Sequence, residues 1–128
     1  MKNQLFYTHE DDHQIMLKKD DVEIQHWLAS LNYFTEEIQA FLQLAKNLQL
    51  SRATVQQLNE VSSKNAECLK ELSRYEIARL NAWECDDMAC DSFYLNNHEE
   101  HRQLVMDHIH YYRATIKAVL AQLITTSS

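Results

Sequence analysis

The chain has 128 residues, which is enough for one domain, and it contains no glycine and no proline. Tight hairpin turns and phosphate-binding loops need glycine, so β-sandwiches, Rossmann domains, P-loop enzymes and TIM barrels are strongly disfavoured. A formal net charge of −7 disfavours binding to nucleic acid, and the composition favours one mostly helical domain over residues 1–128.

Residues 1–19 form an N-terminal segment with two apolar clusters, at 5–7 and 15–17, around an acidic middle that carries His9 and His13. The pattern predicts a short packed segment rather than a fourth helix. Residues 81–90 of the second helix lie beyond the level at which the first long helix begins. We expect either the N-terminal segment or a second subunit to cover Trp83 and Met88 there. The first ten residues lack the apolar core of a signal peptide.

The first long helix is predicted from about residue 21 to 49. Asp20 followed by Glu23 resembles a capping box at a helix start. The apolar positions then alternate steps of three and four residues, which is the spacing of a coiled coil or a helical bundle. These positions are Ile24, Trp27, Leu31, Phe34, Ile38, Phe41, Ala45 and Leu48.

The second helix is predicted over about 52–90, with Ser51 as its N-cap. The short connection makes the first two helices antiparallel neighbours, so residue i of the first lies level with residue 101 − i of the second. Its apolar stripe, which includes Leu80 and Trp83, is interrupted by Asn65, Glu76 and Arg79, and the spacing of Glu76 and Arg79 suits an ion pair on the helix surface. Two interpretations stay open here, a solvated face or a polar layer that fixes helix register or subunit pairing.

The third helix is predicted over about 97–124, after a break in residues 91–97. Asn97 with Glu100 repeats the capping-box pattern. The apolar stripe is formed by Val105, Ile109, Tyr112, Ile116, Val119 and Leu123. The sequence therefore predicts an all-α fold, an antiparallel up-down-up bundle of three long helices.

The seven histidines raise the hypothesis of a metal site. Glu23-x-x-His26 and residues 10–13 have the Glu-x-x-His spacing of di-metal helical bundles, and Asp107-x-x-His110 imitates it. Such a site needs further inward glutamates, which the first helix does not offer on its apolar stripe. Surface histidines on an acidic protein are the favoured interpretation, and the sequence assigns no catalytic, cofactor-binding or metal-binding residue.

The cysteines, Cys68, Cys85 and Cys90, are odd in number and lack the spacing of a disulfide framework. On one continuous helix, Cys85 and Cys90 would not share a face. We therefore expect free thiols and a reducing, cytoplasmic location. No apolar run approaches the length of a membrane span.

The pattern Trp27-Leu28-x-x-Leu31-x-Tyr33-Phe34, continued by Glu36-Glu37-Ile38-x-x-Phe41-x-x-x-Ala45, resembles a group of small helical proteins from Bacteroidetes. The stretch from Asn97 to Val105, which leads to Tyr112, is similar to the last helix of that group. The resemblance covers about half of the chain. It implies a cytoplasmic helical bundle and brings no established activity.

The expected function is non-enzymatic association of a helical bundle, either with itself as a homodimer or with a partner helix. The motive is the second helix, where Val61, Cys68, Tyr75 and Ala82 form a stripe different from that of the other apolar residues. A partner is needed if three helices do not cover both stripes. The alternatives are a metal-binding protein or metal-dependent enzyme that uses the histidine-rich end, and a small-ligand carrier.

Overall fold

The computed structural model describes residues 9–127 of the chain, and describes side chains for residues 12–125. They form helix α1 (His9–Asn47), helix α2 (Arg52–Ala78), a 3-10 helix (Arg79–Glu84) and helix α3 (Met88–Ser127). No strand occurs in this range. The three long helices pack against one another as an up-down-up bundle, so the predicted all-α fold is confirmed.

The turn from α1 to α2 is built without glycine. Gln49 takes the left-handed conformation, with φ 51°, that glycine usually provides at the end of a helix. The Leu50 amide donates to the Ala45 carbonyl at 2.9 Å, and the Gln49 amide donates to the Lys46 carbonyl at 3.3 Å. These two bonds close a Schellman motif. The Ser51 hydroxyl then accepts from the Thr54 amide at 3.2 Å and caps α2, as predicted.

The predicted register between the first two helices is confirmed by tertiary contacts. The Asn65 side chain donates to the Leu31 carbonyl at 2.9 Å. Arg79, two heptads further along the chain, donates to the Leu17 carbonyl at 3.1 Å. These two carbonyls lie five residues from the positions that the 101 − i rule gives. The side chains that Asn65 and Arg79 also bind, Thr35 and Asp21, lie within one residue of the rule.

The core follows the predicted apolar stripes of α1 and α3. Ile24, Leu31 and Ile38 on α1 are buried, as are Val105 and Val119 on α3. Three clusters of buried side chains succeed one another along the bundle axis. The periodic spacing therefore predicted which faces of these two helices form the core.

The second stripe of α2 is covered within the chain. Val61, Cys68, Tyr75 and Ala82 are all buried, so they leave no stripe for a partner to cover. Leu80, which the sequence placed on the apolar stripe, is exposed instead, so this assignment is wrong.

The first helix begins earlier than predicted. Residues 9–19, expected as part of a separate packed segment, are the first turns of α1, and residues 1–8 lie outside the described residues. Leu17 is buried one heptad before Ile24, so the apolar stripe simply continues. Trp83 and Met88 remain 40% and 84% exposed beside this extension.

The second break lies at residues 85–87, not at 91–97. α2 ends at Ala78 and continues as the 3-10 helix to Glu84, where the sequence predicted one helix up to residue 90. The Asp87 carboxylate accepts from the Cys90 amide at 2.7 Å, so Asp87 caps α3. Asn97, the predicted cap, lies inside α3.

This break also overturns the expectation of free thiols at Cys85 and Cys90. Cys85 has left the helix with an extended backbone, and its Cα lies 5.6 Å from that of Cys90, with the two sulfurs bonded. Cys85 and Cys90 would point apart on one continuous helix, and the break between them brings them together. Cys68 is a free buried thiol, as expected, and burial raises its pKa to about 11.

None of the helices in residues 9–127 carries an apolar stretch that is long enough, with few enough charges, to cross a bilayer.

Candidate functional site

His98 is the centre of a polar cluster that joins all three helices. Its side chain is 2% exposed and stacks on Trp27, with ring centroids 5.0 Å apart. Its Nδ1 lies 2.7 Å from the Tyr75 hydroxyl on α2, and its Nε2 lies 2.8 Å from Glu23 Oε1 on α1. One imidazole on α3 therefore bridges both other helices.

The Tyr75 hydroxyl and the Glu23 carboxylate face opposite nitrogens of the His98 ring. Burial raises the pKa of Tyr75 to about 12, so the hydroxyl keeps its proton at neutral pH. A carboxylate only accepts, so Nε2 donates to Glu23, and the Tyr75 hydroxyl is the partner of Nδ1. The Glu23 contact therefore holds a proton on Nε2.

Arg102 holds the same carboxylate from α3. Its Nε lies 2.8 Å from Glu23 Oε2 and its terminal nitrogen lies 2.7 Å from Oε1, a two-pronged ion pair. The hydrogen bond from Arg102 is the main reason why the pKa of Glu23 falls to about 2; burial opposes this shift and the His98 contact adds to it. The guanidinium also contacts Glu99, one helical turn earlier.

Arg79 brings two more carboxylates of α1 into the cluster. It is 2% exposed, and it donates to Asp21 Oδ1 at 3.0 and 3.2 Å as well as to the Leu17 carbonyl. Asp20 lies further away, at 3.6 Å from Arg79 and with Oδ1 3.5 Å from His98 Nε2. Asp20, read in the sequence as a helix cap, is therefore a tertiary contact in the middle of α1.

Asp20, Glu23 and His98 each offer one ligand atom, and these atoms lie within 4.8 Å of one another. Two carboxylates and one imidazole are a donor set that suits zinc and related divalent metals. In the sequence, Glu23 belongs to a Glu-x-x-His spacing and His98 is one of the seven histidines, but nothing pairs them. Pairing them needs the offset between α1 and α3, which depends on the position of the second break.

The other buried histidines have partners of their own. His101 Nε2 lies 3.0 Å from Glu71, and its ring stacks on Tyr75 at 3.9 Å. His108 Nε2 lies 2.7 Å from Asn65 Oδ1, and its pKa is lowered, mainly by burial. These histidines do not converge with His98 on one point.

The Glu-x-x-His spacings do not form metal sites as spaced. Glu23 faces the bundle whereas His26 is exposed, so the two point apart. Asp107 and His110 are both exposed, and the Glu10 side chain lies outside the described residues. His13 Nδ1 lies 3.6 Å from Asp91, while its Nε2 is buried without a hydrogen-bond partner in the described structure.

Asn65 and Arg79 form polar layers within the bundle, which decides between the two interpretations of the interrupted stripe. Asn65 is 1% exposed and donates to the Leu31 carbonyl and to Thr35 Oγ1, each at 2.9 Å. Glu76, a suggested partner of Arg79, accepts from Gln25 instead.

A groove, which we call the end groove, opens between the N-terminal ends of α1 and α3. Its volume is about 600 Å³. The apolar part of its lining includes Met16, Leu17, Met88 and Leu95. The acidic part consists of Asp12, Asp20, Asp86, Asp87 and Asp91, and His13 and Arg79 also line it.

Comparisons with protein-family models, with curated proteins and with solved structures each found no match to this chain. The resemblance to small helical proteins from Bacteroidetes therefore stays a prediction from the sequence.

Proposed function

We propose that the protein acts without catalysis, by binding a partner helix in the end groove. The observation that carries this proposal is the unequal length of the bundle's helices. The 3-10 continuation of α2 ends at Glu84, which lies level with Leu17, whereas α1 extends back to His9. Beyond the level of Glu84, α1 and α3 continue side by side without α2. A partner helix in the groove would take the place that α2 occupies in the rest of the bundle.

The apolar floor of the groove suits such a helix. Met88 is 84% exposed and Leu95 is 50% exposed on α3, and Met16 is 49% exposed on the facing helix. Covering a large apolar side chain contributes about 1.5–3 kcal/mol. The methionine side chain is flexible and adapts to different partners. Two exposed methionines in one groove are therefore typical of a binding surface.

The charge of the rim specifies the partner further. Among the residues whose side chains are described, five aspartates line the groove, and the arginine that lines it, Arg79, is already paired with Asp21. An amphipathic helix with Lys or Arg beside its apolar face complements this rim. A second copy of the chain brings the same acidic surface and a net charge of −7, so self-association is disfavoured.

A synthetic helical peptide tests the proposal. It carries leucines on one face and lysines on both flanks, and a matched peptide carries glutamates in place of the lysines. Fluorescence anisotropy should show that the lysine peptide binds more tightly, and that salt weakens its binding by screening the charges. If neither peptide binds, or if both bind equally, the proposal is wrong.

Substitutions locate the binding surface. Met88→Ser and Leu95→Ser should each weaken the lysine peptide about tenfold, because each removes an apolar contact. Ile77→Ser is the matched control, since Ile77 is 68% exposed but does not line the groove. Equal loss in all three variants contradicts the proposal. A dimer in sedimentation that Met88→Ser dissolves would assign the groove to a second copy instead.

A cytoplasmic location stays a prediction from the sequence. It was based on free thiols, and the bond between Cys85 and Cys90 is typical of oxidising compartments. Cell fractionation of the untagged protein decides whether it is located in the cytoplasm or in an oxidising compartment.

A further inference from the structure

We propose that Asp20, Glu23 and His98 form a binding site for one divalent metal ion of the zinc class. The site is separate from the apolar floor of the end groove, and it does not depend on a partner helix. It uses two carboxylate oxygens from α1 and the Nε2 atom of His98 from α3. Three protein ligands leave one position of a tetrahedral metal open to water.

The spacing of the ligand atoms fits this coordination. Ligand atoms bound at about 2.0–2.1 Å to a tetrahedral zinc ion lie about 3.3–3.5 Å apart. His98 Nε2 and Asp20 Oδ1 are already 3.5 Å apart. His98 Nε2 and Glu23 Oε1 are 2.8 Å apart, so they need to separate by roughly half an ångström. A change of side-chain torsion in Glu23 supplies this movement without moving a helix.

Asp20 is the least satisfied member of the cluster. Its side chain is 20% exposed, yet the described structure gives its carboxylate no hydrogen bond, only the ion-pair contacts at 3.5 and 3.6 Å. A largely buried carboxylate without hydrogen bonds is costly. A bound cation removes this cost, whereas the neighbouring Asp21 is already satisfied by Arg79.

Tyr75 is placed to support the metal-bound form of His98. Metal binding at Nε2 requires that atom to lose its proton, and the ring then carries its proton on Nδ1. Nδ1 lies 2.7 Å from the Tyr75 hydroxyl, whose oxygen accepts the hydrogen bond in this tautomer. Metal-bound histidines almost always make such a bond through their second nitrogen.

Arg102 is the competitor of the metal at Glu23. Its side chain is 34% exposed and also contacts Glu99, so its guanidinium can leave Glu23 for Glu99 and water. Arg79 stays in place, because Asp21 and the Leu17 carbonyl hold it independently of Asp20. The metal ion therefore replaces the guanidinium of Arg102 at Glu23 and leaves the buried ion pair of Arg79 with Asp21 in place. Access from solvent is open, since Asp20 lines the end groove.

The test is a titration of the untagged, chelator-treated protein with Zn²⁺ followed by calorimetry, and with Co²⁺ followed by visible absorption. The wild type should bind one ion per chain. Asp20→Asn should weaken binding at least tenfold, and in this variant Arg79 keeps its bonds to Asp21 and to the Leu17 carbonyl. His98→Gln should abolish the Co²⁺ spectrum. His26→Gln is the control, since His26 is exposed on the same helix as Asp20 and Glu23.

Arg102→Met separates a metal site from a purely structural ion-pair cluster. Removing the competitor should tighten Zn²⁺ binding severalfold, whereas a structural cluster predicts no binding in either form. Circular dichroism checks that each variant is folded. The proposal fails if the folded wild type shows no saturable binding below about 0.1 mM Zn²⁺. It also fails if Asp20→Asn binds as well as the wild type, or if Arg102→Met binds more weakly.

Discussion

The Glu23 carboxylate should make the stability of the bundle depend on acid. The pKa of Glu23 is about 2 in the folded chain, against an ordinary value of 4.5. A depressed folded pKa means that the carboxylate contributes stability above pH 4.5, and that this stability is lost as the pH falls toward 2.

The size of this contribution follows from the shift. A difference of about 2.5 pKa units corresponds to about 3.4 kcal/mol. The side chain is 31% exposed, so screening by solvent reduces the realistic figure to about 1–2 kcal/mol. With these pKa values, slightly more than half of the contribution disappears between pH 7 and pH 3.

Urea unfolding of the wild type and of Glu23→Gln, in a chelating buffer, measures this contribution. At pH 7 the variant should be less stable by about 1–2 kcal/mol, and the difference should narrow toward pH 3. Glu100→Gln is the matched control, because Glu100 is exposed and makes no described ion pair. A difference that stays constant from pH 7 to pH 3 would refute the reasoning.

Three further substitutions test the caps and the polar layers. Tyr75→Phe should lower the free energy of unfolding by about 1–3 kcal/mol, because His98 Nδ1 loses its partner, and should shift the Nδ1 resonance of His98 in nitrogen NMR spectra; an unchanged spectrum counts against it. Asn65→Ala should lower the free energy of unfolding, measured by thermal unfolding, by about 3 kcal/mol, because His108 Nε2 loses its acceptor; a decrease of less than about 1 kcal/mol contradicts this. Gln49→Gly should raise the urea midpoint by an equivalent of about 0.5–1 kcal/mol, because glycine accepts the positive φ, and a lower midpoint contradicts it.

The helices could be predicted from the sequence because their signal is local. Steps of three and four residues place Ile24, Leu31 and Ile38 on one face, whatever lies opposite. The helix ends were harder to predict. Asp20 and Asn97 both match a capping pattern, yet Asp20 faces cations and a histidine of other elements, and Asn97 continues a helix. Whether a polar side chain caps a helix depends on which partner the fold brings to it.

The candidate site was visible only in part. Glu23 stood out by its Glu-x-x-His spacing, and the register rule places Arg79 level with residue 22, beside the Asp21 that it binds. Tyr75 resembled an ordinary core aromatic, and nothing in the sequence distinguished Arg102 from other surface arginines. The roles of Tyr75 and Arg102 depend on the axial offset between α1 and α3. That offset depends on where α3 begins, and the sequence placed the break before α3 at residues 91–97 instead of 85–87.

Asn65 on α2 and Arg79 at the start of the 3-10 helix stand two heptads apart, with buried Leu72 midway between them. Sliding this segment by one heptad in either direction would move Asn65 to a leucine position, and both polar side chains would lose their carbonyl partners at once. A purely apolar stripe would tolerate that slip almost without penalty. The chain therefore discriminates against assemblies in which the helices pack out of register, which are a usual hazard of long, repetitive helices.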